Sequence, residues 1–391
     1  MSFFEKLLDG AIVEWKPLES IAKIKHGKDW KGLEDGDVPV YGSGGIMGYV
    51  DTYSYKKPTV LIPRKGSITN IFYVETPFWN VDTIYYTDIN TQVIIPKYFY
   101  YFIKTVDLLS LDTGSGRPSL TQAILNKILV PIPCPQNPQK SLEIQAEIVR
   151  ILDAFSAMTA ELTAELNARK KQYDYYRDQL LNFNDDEVEW KTLGDISLKI
   201  SSGGTPKTGV AEYWEGGTIP WMSSGEVNLE TIYETEKYIT EAGLKSSSAK
   251  FVPKNSIVIA LAGQGKTRGK VARTRIDLTT NQSLASLTFD EMIVNPDYVY
   301  HFLKTQYENL RQISSGNGAR GGLNLQMISN YKLPIPALSR QASIVAILDK
   351  FDVLISSNTE GLPREIKLRQ QQYEYYRDLL FSFPKPEEVE A

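Results

Sequence analysis

Two kinds of hydrophobic pattern alternate along this chain, and each occurs twice. The first is a succession of short apolar runs closed by turn residues. Examples are Pro58-Thr59-Val60-Leu61-Ile62-Pro63 and Val81-Asp82-Thr83-Ile84-Tyr85-Tyr86, with the glycine-rich Gly42-Ser43-Gly44-Gly45 before them. Runs of this length, rich in β-branched and aromatic residues, predict strands. A helix is predicted near Lys97–Leu109. The block closes at Val130-Pro131-Ile132-Pro133-Cys134-Pro135, where the prolines predict an extended connector. The second pattern is helical. Ile144, Ile148, Ile151, Phe155, Met158, Leu162, Leu166, Tyr173, Tyr176 and Leu180 follow one another in steps of four and three, and the stem of Arg169 bridges the single gap of seven. This is a coiled-coil stripe with one stutter. A helix of that span is roughly 55 Å long at ~1.5 Å per residue, which calls for a partner helix.

Both patterns return. Loops at Ser201-Ser202-Gly203-Gly204-Thr205-Pro206 and Ser314-Ser315-Gly316-Asn317-Gly318 punctuate a second strand-rich block. A second stripe follows at Ile344, Leu348, Phe351, Ile355, Leu362, Ile366, Tyr373, Tyr376 and Leu380. Pro363 predicts a break or kink in it, with Thr359 as N-cap. The chain therefore divides into a strand-rich domain (1–143), a long helix (144–183), a second domain (184–339), a second helix (340–383) and a loose tail (384–391). The fold class is α+β.

The words repeat as well as the pattern. Val13-Glu14-Trp15-Lys16 returns as Val188-Glu189-Trp190-Lys191, and Pro131-Ile132-Pro133 as Pro334-Ile335-Pro336. Ile148-Val149-Arg150-Ile151-Leu152-Asp153-Ala154-Phe155 returns as Ile344-Val345-Ala346-Ile347-Leu348-Asp349-Lys350-Phe351, and Gln172-Tyr173-Asp174-Tyr175-Tyr176-Arg177-Asp178 as Gln372-Tyr373-Glu374-Tyr375-Tyr376-Arg377-Asp378. The stretches between share almost nothing, as expected of one scaffold that presents two recognition surfaces. Glu5-Lys6-Leu7-Leu8-Asp9-Gly10 precedes the first Val-Glu-Trp much as Arg177-Asp178-Gln179-Leu180-Leu181-Asn182 precedes the second, so the start of the chain should lie beside the end of the last helix.

Composition narrows the function by exclusion. The 391 residues allow two or three domains. A net charge of −4 and a pI near 5.5 do not favour nucleic acid globally, although local patches decide binding. Cys134 is the one cysteine and the two histidines, His26 and His301, are far apart, so no metal site is expected. No apolar run reaches membrane-spanning length, and the first residues lack signal-peptide features; a cytoplasmic location is expected. Asn/Asp-Pro-Pro-aromatic, the mark of amino-group methyltransferases, is absent, and catalysis finds no support.

Ala260-Leu261-Ala262-Gly263-Gln264-Gly265-Lys266-Thr267 approximates a phosphate loop, but no helix is predicted after it, so it is better read as a DNA contact. Lys266, Arg268, Lys270, Arg273 and Arg275 fall together without an acid among them, and Gln264 can read a base edge. The bland alternative is a solvated basic hairpin. Similar chemistry stands at Arg64-Lys65-Gly66-Ser67, at Ser115, Arg117 and Ser119, at Thr205 and Lys207, and at Asn317 and Arg320. Trp15 and Trp190 are expected to anchor cores. Tyr173 and Tyr176 fit the apolar seam, so Tyr175, and Tyr375 with it, must face elsewhere.

Together the framing blocks, with Lys171 before Gln172, Glu360-Gly361-Leu362-Pro363-Arg364-Glu365-Ile366 and Thr159-Ala160-Glu161-Leu162-Thr163-Ala164-Glu165-Leu166, resemble the specificity (S) subunit of type I restriction-modification enzymes, IC-like subgroup. That resemblance implies two target-recognition domains, 1–143 and 184–339, each reading half of a bipartite DNA site. It also implies two antiparallel spacer helices in a circular, pseudo-two-fold arrangement. The S subunit is then non-catalytic and binds no cofactor. It works with double-stranded DNA and with two methyltransferase (M) subunits, which carry S-adenosylmethionine. Restriction (R) subunits, where the system has them, use ATP and magnesium. Tyr175 and Tyr375 are the expected M-subunit contacts. A duplicated protein-binding adaptor that never touches DNA is the competing reading.

Overall fold

A computed structural model of the protein describes residues 12–112, 116, 118–263, 267–314, 322–357 and 359–384. They form two compact units: one comprises the chain up to Glu165 and again from Arg364, the other Leu166–Pro363. The principal helices are α1 (Pro96–Ile103), α2 (Pro138–Leu181), α3 (Pro296–Thr305), α4 (Leu338–Ser356) and α5 (Gly361–Leu380).

In the first unit, β1 (Val13–Pro17) has its antiparallel partner in the Pro-Ile-Pro segment, with Trp15 opposite Pro131. The predicted connector is thus a strand. A two-stranded ladder has only edges and needs N–H donors at alternate residues, so the prolines are tolerated. Next come β2 (Ala22–Lys25), the hairpin β3 (Val38–Gly42) and β4 (Gly45–Val50), β5 (Thr59–Pro63), β6 (Phe72–Val74), β7 (Trp79–Asn80), β8 (Ile84–Ile89) and β9 (Leu129–Pro133). They form a four-stranded sheet, β2-β8-β5-β6, and a three-stranded sheet, β4-β3-β7. β5 is buried on both faces, and α1 lays Tyr98, Phe99, Phe102 and Ile103 into the same core. α1 stops short of Leu109. Thr105 donates its hydroxyl back to the Phe102 carbonyl, and Asp107 accepts from the amides of Leu109 and Ser110, so side chains take over the backbone bonds.

The second unit repeats the frame. β10 (Glu189–Thr192) pairs with the second Pro-Ile-Pro segment, with Trp190 opposite Pro334. β11 (Ser197–Ser202), β12 (Ile219–Met222), β13 (Thr231–Ile232), β14 (Lys237–Ile239), β15 (Phe251–Val252), β16 (Ile257–Ala260), β17 (Val271–Thr274), β18 (Leu278–Thr280), β19 (Leu284–Phe289) and β20 (Lys332–Ile335) follow. Their sheets are β11-β19-β16-β17-β13 and β14-β12-β18-β15. α3 mirrors α1 residue for residue as Pro-x-Tyr-x-Tyr-x-Phe-x-Lys-Thr, a repeat that the sequence reading missed because its apolar positions vary. The fasteners are the same. Tyr98 and Tyr298 donate to the carbonyls of Pro131 and Pro334 at 2.9 and 2.8 Å, and Gln145 and Gln341 accept from the amides of Ile95 and Asn295 at 2.8 Å each.

α2 starts at Pro138, before the expected Ile144, and ends at Leu181. Ile144, Ile148 and Tyr173 are buried as the stripe predicts, but Leu152 and Leu181 are buried where Ile151 and Leu180 were expected, and Met158 is exposed. In the first unit Phe155 stacks on Tyr376 at 5.2 Å; in the second, Tyr173 and Tyr176 meet Phe351. The second stripe is broken as Pro363 predicts. The break precedes the proline, which sits in the first turn of α5 where no amide partner is lost. Ser357, not Thr359, accepts the Glu360 amide at 3.0 Å. Gly361 has φ +75°, and a Cβ there would fall 2.4 Å from the Val353 carbonyl oxygen, so no other residue fits without movement.

Trp15 packs edge-on to Phe102 and donates to the Pro384 carbonyl at 2.7 Å, just past the end of α5; residues 5–10, expected beside that end, lie outside the described residues. Trp190 is not a core anchor: it is 38 % exposed.

Candidate nucleic-acid interface

The loops singled out in the first unit converge. Lys65 and Ser119 form an antiparallel bridge, the Gly66 amide donates to Pro118 at 3.0 Å, and the Leu120 amide to Arg64 at 2.8 Å. Gly66 has φ +85°, which turns the chain and leaves Ser67 exposed. The Arg64 guanidinium is oriented by a 3.3 Å bond to the Asp82 carbonyl and lies close enough to Tyr85 to oppose the rise that burial imposes on that hydroxyl's pKa. Two uncharged residues that sequence reasoning passed over complete the edge. Asn70 donates to the Ser43 carbonyl at 3.1 Å, and the Ser43 amide donates to the Thr83 hydroxyl at 3.2 Å. The β3–β4 turn, the Arg64 loop and the turn before β8 are thereby tied together. Ser115 and Arg117 lie outside the described residues.

The second unit builds the corresponding edge with the same backbone bonds. Arg64 donates to Thr83 and receives from Leu120; Leu261 donates to Ser283 at 2.8 Å and receives from Leu323 at 2.9 Å. Leu261 thus stands where the first unit has arginine. Thr205 donates to Gln282 at 2.6 Å at this edge, and Lys207 is exposed. The turn Thr267–Gly269 leads directly into β17, so the helix that a phosphate loop requires is absent. Arg268 lies in this turn and is half-buried. Lys270, also half-buried, donates to Asn228 at 2.7 Å. Gln264, Lys266, Asn317 and Arg320 lie outside the described residues.

Arg273 corrects the sequence expectation. It is 8 % exposed and bonds Asp349 at 2.7 Å, Asp297 at 3.1 Å and the Thr231 hydroxyl, so its guanidinium is engaged within the frame of the unit and not offered at the surface. Arg275 likewise clasps Asp297 through both carboxylate oxygens. Burial alone would raise the pKa of Asp349, but hydrogen bonds from His301 and Arg273 outweigh it and bring the carboxyl down to about 2. The first unit does the same job with fewer charges: Lys97 and the Tyr101 hydroxyl bond Asp153 directly. Where α1 has Lys97, α3 has Asp297, and Arg273 supplies the missing cation between two carboxylates.

On the helices, Tyr173 and Tyr373 are each 6 % exposed, whereas Tyr175 and Tyr375 are 59 % and 64 % exposed. Arg177 and Arg377 lie over Tyr173 and Tyr373 and pair with Asp178 and Asp378 at 2.7 Å. The repeated block therefore builds the same local surface twice.

The family model described as "Type I restriction modification DNA specificity domain" matches residues 12–171 and 185–368, both halves of the duplicated frame. The chain belongs to this DNA specificity family. It is 42 % identical to the type I restriction enzyme EcoR124I/EcoR124II specificity subunit of Escherichia coli, over 100 % of this chain and 99 % of that one. A putative type I restriction enzyme specificity subunit of Haemophilus influenzae is 32 % identical over 98 % of each chain. Among solved structures, the type I restriction-modification S subunit from M. genitalium has a TM-score of 0.63 at 16 % identity, over 96 % of this chain and 98 % of that one, and so shares the fold. The specificity family thus accounts for the chain from end to end, and it places this protein among the non-catalytic subunits.

Proposed function

We infer that this chain gives a type I restriction-modification enzyme its DNA sequence specificity, and that each unit reads one half of a split, asymmetric double-stranded site. One observation carries the division of labour. The same two backbone bonds fix Arg64 in one unit and Leu261 in the other beside unlike neighbours, Lys65 in the first and Thr205 with Gln282 in the second. Identical frames place the edges alike, and different side chains meet different bases. The residues proposed to touch DNA are Arg64, Lys65, Ser67, Ser115, Arg117, Ser119, Thr205, Lys207, Gln264, Lys266, Arg268, Lys270, Asn317 and Arg320.

Tyr175 and Tyr375 are proposed to dock two methyltransferase subunits, since a surface built twice suits two copies of one partner. S-adenosylmethionine would belong to those subunits, and ATP with magnesium to restriction subunits where present. The proposed setting is cytoplasmic; no helix among the described residues is long and apolar enough to cross a membrane. The deciding experiment replaces residues 13–133 with the corresponding segment of another family member and maps methylated adenines in cells that also express the cognate methyltransferase subunit. One half-site should change. If both halves change, the division between the units is wrong; if DNA is never marked, the adaptor reading returns.

A further inference from the structure

The joint between α3 and α4 holds a feature that the first unit lacks. His301 is 1 % exposed, and its Nε2 lies 2.9 Å from Asp349. A carboxylate only accepts, so Nε2 carries a proton toward Asp349. The other ring nitrogen, Nδ1, faces Asp352 Oδ2 at 4.0 Å, too far for a hydrogen bond. Neither His301 Nδ1 nor Asp352 Oδ1 has a hydrogen-bond partner among the described residues. An unpartnered buried ring nitrogen that faces a carboxylate at this separation is placed to share a metal ion with it.

The first unit is an internal control. Position 101 is tyrosine where 301 is histidine, and position 156 is serine where 352 is aspartate. There Tyr101 donates to Asp153, its hydroxyl meets Ser156 at 3.4 Å, and hydroxyls stand where the second unit has His301 and Asp352. In the second unit both positions carry metal-ligating side chains, and one ligand atom from each of His301, Asp349 and Asp352 lies within 4.8 Å of the others.

We propose that His301 Nδ1 and Asp352 form a binding site for one divalent transition-metal ion that pins α3 to α4 within the second unit. Asp349, on the other ring nitrogen, orients the imidazole, the arrangement that metal-bound histidines commonly show. Imidazole with carboxylate selects cobalt, nickel or zinc over calcium and magnesium, which take oxygen ligands. Lys304 is the built-in competitor: its ammonium stands 3.7 Å from Asp352 Oδ1 while bonded to Glu230 at 2.7 Å. The sequence reading missed the site because it weighed the two histidines alone, and 48 residues separate His301 from Asp349.

Cobalt(II) titrated into the chelator-treated full chain tests this, followed by calorimetry and by visible absorption. One ion per chain should bind, with a nitrogen–oxygen ligand-field spectrum. His301→Tyr combined with Asp352→Ser copies the first unit's residues into the same frame, so it should fold and lose the site. Lys304→Met should bind more tightly, and Asp349→Asn about tenfold more weakly. If the double variant fails to fold, Asp352→Asn is read instead and should lose the ion. No saturable binding in the parent chain, or binding undiminished in the double variant or in Asp352→Asn, would overturn the proposal.

Discussion

At the residue scale, one charge inverted between the repeats explains why a basic run in the sequence is not a basic surface. Lys97 can pair with Asp153 directly, but Asp297 beside Asp349 would leave two carboxylates facing each other. Arg273 from β17 resolves this, with its pKa raised by those partners even though burial pulls the other way. Arg273→Ala should therefore destabilise the second unit by about 2 kcal/mol, because it strands two half-buried carboxylates. Arg268→Ala should lower the salt slope of DNA binding by the assembled complex by about 1. Urea melts and binding isotherms at several salt concentrations separate the two. If Arg273→Ala folds normally and only weakens DNA binding, the structural role is wrong. Asp349 predicts a pH dependence of definite sign. Its folded pKa, about 2, lies below the ordinary value near 4, so its contribution is complete above the unfolded value and is lost as pH falls through the folded one. Asp349→Asn should cost about 2 kcal/mol near neutral pH, a modest figure because the side chain is partly exposed. That difference should shrink below about pH 4 and vanish near pH 2. A gap that persists in acid would contradict the assignment.

At the element scale, the helices show how a stripe can be read correctly in kind and wrongly in detail. Four-and-three spacing predicts a helix and a seam, but Ile151 and Leu152 are both apolar neighbours, and only packing decides which turns inward. The interval from Phe351 to Tyr373 is 22 residues against 18 from Phe155 to Tyr173, and the extra four suggest a longer helix by about 6 Å. They are instead the break between Ser356 and Gly361. Only α2 is continuous over this interval, so length is best added there. A third Thr-Ala-Glu-Leu after Leu166 adds about 6 Å and slightly more than one turn, which preserves the seam. We expect the protein to fold, both half-sites to keep their bases, and the unread spacer to grow by one to two base pairs at ~3.4 Å each. Methylome mapping of the insertion variant reads this directly; an unchanged spacer with full activity would show that α2 does not set the distance.

At the scale of the whole molecule, duplication is the organising fact, and it extends to the surface. Tyr175→Glu together with Tyr375→Glu should leave the thermal melt unaltered, since both rings are exposed, and abolish methyltransferase recruitment in size-exclusion chromatography. Undisturbed assembly would remove these residues from the interface. The sequence by itself determined the duplicated frame, the helical stripes, the proline break and the family, because each is written in local periodicity or in literal repetition. It also singled out the loops at Arg64 and Ser119, by their glycines and cations. Only the tertiary structure decided that these two loops form one edge, that Asn70 and Thr83 tie a third loop to it, and that Arg273 is buried. It alone brought His301 to Asp349 and Asp352. The physical reason is common to all of these. A charged side chain is defined by what lies opposite it, and here the opposing groups come from strands and helices tens of residues away, where no local pattern records the pairing.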